Sequence, residues 1–122
     1  MPTYQNAFPP FSLFPGDVGL SFNNETPAPG TAGAQFALPE PAGIVDQGHA
    51  VRWQTLFATA PTAVNIVLQA AAADVDAEYQ TIDTSTVAAG EARPLSGVRA
   101  RFLRAKLVSV TGGSGFTVKI LP

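Results

Sequence analysis

Cysteine is absent from the 122-residue chain, which removes thiol catalysis, disulfide frameworks and thiolate metal sites together. Charge is scarce as well: 13% of residues are Asp, Glu, Lys or Arg, about half the usual share. From Met1 to Val51 there is no Lys or Arg, while Asp17, Glu25, Glu40 and Asp46 give that stretch a charge of −4. All seven basic residues follow, facing Asp74, Asp76, Glu78, Asp83 and Glu91, for a charge of +2. A net charge of −2 does not provide the basic footprint of a nucleic-acid binder. No apolar run approaches the ~20 residues needed to span a bilayer. Met1 to Leu13 lacks a positive start and is interrupted by Pro9 and Pro10, so no signal peptide is expected.

Hydrophobic residues, in contrast, make up 46% of the chain. That is enough for the core of one domain, and the length does not comfortably allow two. A well-filled core with so few charges implies that some surface is covered by a partner.

Proline divides the sequence. Eight of the eleven prolines lie in the first 41 residues, a density that helices and central strands reject because each proline removes an amide donor and fixes φ. Phe8, Phe11, Phe14, Phe22 and Phe36 lie in the same stretch. The reading is an extended arm over 1–47 with adhesive points, ahead of a domain over 48–122. Ordering about 40 arm residues costs on the order of 40–80 kcal/mol, whereas five buried phenylalanines return only ~8–15 kcal/mol. The arm is therefore expected to lie on its own domain and on neighbours, with the five phenylalanines as partner-binding anchors.

Beyond Gly48 the pattern has a period of two. Val51, Trp53, Thr55 and Phe57 alternate with Arg52, Gln54 and Leu56; Val64, Ile66 and Leu68 alternate with Asn65, Val67 and Gln69. Ala70 to Asp76 reads as a strand end and acidic turn, Glu78 to Ile82 as a strand, and Thr84 to Ala92 as a weaker one. Val98, Ala100 and Phe102 share a phase that slips by one residue at Leu103, as a β-bulge produces. Phe116, Val118 and Ile120 close the chain. Short strands separated by turn signals predict an all-β fold: a single antiparallel β-sandwich or jelly-roll-like domain, with no helix required.

The candidates for chemistry are few. Asp74, Asp76 and Glu78 have the spacing of a calcium loop, but Tyr79 stands where such a loop needs glycine; a solvated turn is the plainer reading, a weak calcium site is the alternative, and no cofactor is expected. His49 is the only histidine, and no motif frames a serine nucleophile beside it, so the protein is not expected to be an enzyme. Gly112-Gly113-Ser114-Gly115 lacks the lysine and following helix of a phosphate loop and reads as a hairpin loop. Arg99, Arg101, Arg104 and Lys106 form the one basic cluster, with Arg99 and Arg101 on one face and Arg104 and Lys106 on another beyond the bend. It is a candidate face for an acidic partner or, equally, a charged outer face that guards the sheet against edge aggregation. Trp53 falls in the apolar phase and reads as core.

Five segments carry a resemblance: Arg52–Phe57 (RWQTLF), Pro61–Gln69 (PTAVNIVLQ), Thr81–Thr86 (TIDTST), Val98–Ala105 (VRARFLRA) and Gly112–Val118 (GGSGFTV). Together they resemble the small β-sandwich proteins of tailed bacteriophages, in particular head decoration (cement) proteins and related fibre or adaptor modules. The resemblance implies a virion structural protein made in the host cytoplasm and placed on the capsid surface. Its implied partners are the major capsid protein and copies of itself, with a homotrimer expected and neither nucleic acid nor membrane. The alternative is a tail- or fibre-associated sandwich that binds host-surface glycans. Under the arm reading, removal of Met1 to Pro41 leaves a folded sandwich that no longer binds particles.

Overall fold

A computed structural model of the chain describes residues 11–12, 18–38 and 49–121. Among these residues nine strands build two facing sheets. They are β1 (Phe11–Ser12), β2 (Gly19–Glu25), β3 (Phe36–Ala37), β4 (His49–Thr59), β5 (Ala63–Ala71), β6 (Gln80–Ser85), β7 (Ala92–Val98), β8 (Phe102–Thr111) and β9 (Ser114–Leu121). The first sheet has the order β1-β3-β8-β5-β6 and the second β2-β9-β4-β7. All pairs are antiparallel except β1 with β3. The all-β sandwich expected from the alternation is the observed architecture.

The pleat explains which side chains are buried. Alternate residues of a strand point to opposite faces, so Val51, Trp53 and Thr55 of β4 and Phe116, Val118 and Ile120 of β9 line one inner face. Ile66 and Leu68 of β5, with Leu103, Ala105 and Leu107 of β8, line the other. Phe57 meets Phe116 edge to face, with ring centroids 5.1 Å apart, an orientation that sets the positive edge of one ring against the negative face of the other.

Three sequence expectations are corrected by the connections. The slip at Leu103 is not a bulge: β7 ends at Val98 in the second sheet, 99–101 cross over, and β8 starts in the first. The phase resets because the chain changes sheets. The glycine-rich loop is not a hairpin either, since Gly112 and Gly113 link β8 of one sheet to β9 of the other. Both glycines have positive φ, 72° and 79°, and a Cβ at Gly113 would press on Pro61 at 2.9 Å. Two crossovers pack together there. Finally, 86–91 form a turn and the next strand is Ala92–Val98. Pro94 conceals that strand from a sequence reading, yet β7 lies at the edge of its sheet, where a missing amide donor is tolerated.

The stretch assigned to an arm also changes. Residues 19–25 and 36–37 are strands of the two sheets, and Pro27 and Pro29 fall in the connection between them. Phe22 and Phe36 are buried in this chain's own core at 1% and 0% exposure. They are not free anchors for a partner, because β9 and β8 hold their strands by backbone pairing. Phe11 belongs to β1, opposite Phe36. Phe8 and Phe14, and the 47/48 boundary, lie outside the described residues.

Candidate functional site

Among the described residues two clusters of polar side chains brace the fold. The first joins the edge strands β6 and β7, which lie on the same side of the sandwich in different sheets. Asp83 stands opposite Leu68, in the inward phase of β6. Arg93 of β7 donates to it through Nε at 2.7 Å and Nη2 at 3.0 Å, and Trp53 Nε1 donates at 2.9 Å. Arg93 Nη1 reaches Glu91 Oε1 at 3.3 Å, and Ser85 Oγ donates to Glu91 Oε2 at 2.6 Å. Burial of Asp83 pushes its carboxyl up, but the hydrogen bonds from Arg93, Trp53 and the Thr84 amide, with the Arg93 charge, outweigh that. The carboxyl is held below the ordinary carboxylate range. An inward charge on β6, together with Pro94 on β7, blunts both edges against pairing with another strand.

On the opposite edge, Ser21 of β2 donates to the Ala34 carbonyl at 2.9 Å and accepts from the Ala105 amide at 2.8 Å. One hydroxyl thereby ties the second sheet to the first.

The second cluster covers the outer side of the first sheet. The guanidinium carbon of Arg104 sits 3.9 Å from the centroid of the Tyr79 ring. Its Nε donates to Gln69 Oε1 at 2.9 Å and its Nη1 to Asp76 Oδ1 at 2.8 Å. Tyr79 donates to Asp74 at 2.8 Å, and Gln35 Nε2 donates to the other oxygen at 3.1 Å. Burial, then the bond to Asp74, raises the Tyr79 phenol well above its ordinary range. The arrangement accounts for the calcium-like spacing. Asp74 serves Tyr79 and Gln35 while Asp76 serves Arg104, and among the described residues no three acidic, His or Cys groups converge to hold a metal ion.

The basic cluster does not form one face. Arg99 and Arg101 lie in the crossover between β7 and β8, at one end of the sheets, and only Arg104 and Lys106 stand on the outer side of β8. Arg104 is committed to Tyr79, Gln69 and Asp76. His49 begins β4 opposite Val98.

What sequence reading missed is the outer face of the second sheet. Arg52 pairs across the strands with both Pro94 and Leu121, Gln54 with Lys119, Leu56 with Thr117 and Leu20 with Lys119. These residues share the outward side, because Val51, Trp53 and Thr55 point in. Strands β4, β7 and β9 contain no Asp or Glu. Among the described residues, Arg52 and Lys119 have no ion-pair partner. Beside Arg52 lies a shallow, mostly apolar depression of about 320 Å³, lined by Ala50, Val51, Arg52, Pro94, Leu95 and Leu121. The sequence does place both cations in the polar phase of strands. Their adjacency depends on the β4–β9 register, which only the fold supplies.

No protein-family model and no curated protein matches the chain. Among solved structures, it is similar to the crystal structure of the SPBc2 prophage-derived protein YomS. The TM-score is 0.49 and the sequence identity 17%, over 85% of this chain and 90% of that one. No helix among the described residues is long and apolar enough to cross a membrane.

Proposed function

We propose that the chain is a non-enzymatic virion structural protein of a tailed bacteriophage, a decoration protein that binds the outside of the assembled head and bridges capsid subunits. The observation that carries this reading is the outer face of the second sheet, where two cations with no ion-pair partner among the described residues and an apolar depression lie on strands with no acidic residue. Blunted edges favour contact through faces over strand addition. The segments that resemble decoration proteins support the same reading.

The mechanism is mechanical. A protein that binds the closed shell and not its separated subunits raises the free energy of opening. Many symmetric copies convert weak contacts into avidity. With Phe22 and Phe36 inside the core, the proposed contact lies on the sheet face.

The test is co-sedimentation of the purified chain with undecorated phage heads, followed by the temperature at which the heads rupture. Saturable binding and a higher rupture temperature are expected. Chain left in the supernatant with no shift in rupture, or binding to cells that free glycan abolishes, overturns the proposal.

A further inference from the structure

The outer face of the second sheet has a complement on the same molecule. The connection from β5 to β6 protrudes at 72–78, every residue of it exposed. It carries Asp74, Asp76 and Glu78 around Val75, which at 55% is the most exposed large hydrophobic residue described. Arg104 and Gln35 hold this loop to the first sheet, in the layer opposite the Arg52 and Lys119 face. One chain therefore cannot bring the two surfaces together on itself. Two copies can.

We infer that the acidic 72–78 loop of one copy docks on the outer face of the second sheet of the next. Val75 seats in the depression between Pro94 and Leu121, and the loop carboxylates face Arg52 and Lys119. The signs match: Asp74, Glu78 and an Asp76 that stays 95% exposed while pairing with Arg104 stand against two cations on strands that, with β7, bear no acid. The shapes match as well, with a protruding aliphatic side chain against a shallow apolar depression. The two surfaces differ, so the contact is head-to-tail. Repeated around a closing rotation it makes a ring; otherwise it makes an open chain. This rests on the proposed decoration role and divides the face: the next copy's loop covers the Arg52 and Leu121 end, and the Leu56 and Thr117 end is left for the shell.

The absence of cysteine makes the test direct. Val75→Cys and Leu121→Cys are prepared as separate variants, one carrying a mass tag, then mixed without particles and oxidised. Val108→Cys, exposed at 43% on β8 of the first sheet, replaces Leu121→Cys in the control. Trp53 emission and thermal melting verify that each variant is folded. The mixed Val75–Leu121 disulfide is expected to exceed the Val75–Val108 control. Arg52→Glu with Lys119→Glu, or 1 M salt, should reduce it about tenfold, the effect of roughly 1.4 kcal/mol. A mixed disulfide no more abundant than the control overturns the inference, as does a predominance of Val75–Val75 pairs. Because no phage head is present, loss of this cross-link with head binding intact removes only the head-to-tail contact. Cross-linking without head binding removes only the decoration reading.

Discussion

Arg93 grips Asp83 across the gap between the two sheets, with both carboxylate oxygens engaged at 2.7 and 3.0 Å. The pair closes one side of the sandwich, and Trp53 adds a third donor to the same carboxylate at 2.9 Å. Several edge and core properties depend on this one side chain.

Asp83→Asn should lower unfolding free energy by about 1.5–3 kcal/mol, the usual worth of hydrogen bonds to a charged group. Urea titration followed by emission of the only tryptophan, Trp53, buried at 1% exposure, measures it. An unchanged midpoint would deny the clasp.

The same carboxyl sets an acid dependence. Its folded pKa lies below the unfolded value, so its contribution is complete above the unfolded value of about 4. It is lost as pH falls through the folded value. Stability of the parent chain should therefore fall more steeply than that of Asp83→Asn between about pH 5 and pH 2. Parallel curves would assign acid unfolding to other groups.

Removal of residues 1–41 should abolish folding, contrary to what an independent arm predicts. The deletion takes Phe22, Phe36 and Leu38, all buried at 5% exposure or less, together with β2 and β3. Those side chains alone account for roughly 5–9 kcal/mol of burial, comparable with the whole stability of a small domain. A cooperative thermal transition in the truncated chain would restore the arm.

Gly33→Ala should cost about 1–3 kcal/mol through overpacking, because a Cβ there runs into the Ser21 carbonyl and hydroxyl. Gly30→Ala meets no atom within 4 Å but sits at φ 89°, so its cost is one of backbone conformation alone. Thermal melts of the two variants separate collision from conformation.

Tyr79→Phe removes the bond to Asp74 and keeps a ring under Arg104, for a loss of about 0.5–1.5 kcal/mol. In a Tyr4→Phe background, phenolate absorbance of the native chain should rise only above the pH range of a free tyrosine. A titration at the free value would place the ring in water.

Strands β4, β5, β8 and β9 were legible in the amino-acid order, whereas β2, β3 and β7 were hidden by prolines within or around them and by short runs. Val51, Trp53 and Thr55, or Phe116, Val118 and Ile120, declare their inward side locally, because the pleat has a period of two and needs no knowledge of partners. The same local rule left Asp83 in the gap between Glu78–Ile82 and Thr84–Ala92, whereas the fold places it within β6, pointing inward to Trp53 and Arg93. Sheet membership could not be read in that way. Gly112 and Gly113 suit a tight hairpin as well as a crossover, and Phe22 and Phe36 amid prolines suit an arm as well as a core. Only the closing of two apolar faces on each other selects between these, since burial rewards contacts between residues far apart in the chain. It also placed Arg52 and Lys119 on the same outward face of neighbouring strands, one diagonal step apart, and sent the acidic loop to the opposite layer. The sequence by itself determined the alternation and hence the all-β class. The tertiary structure decided which strands pair, and so which charges were left facing outward.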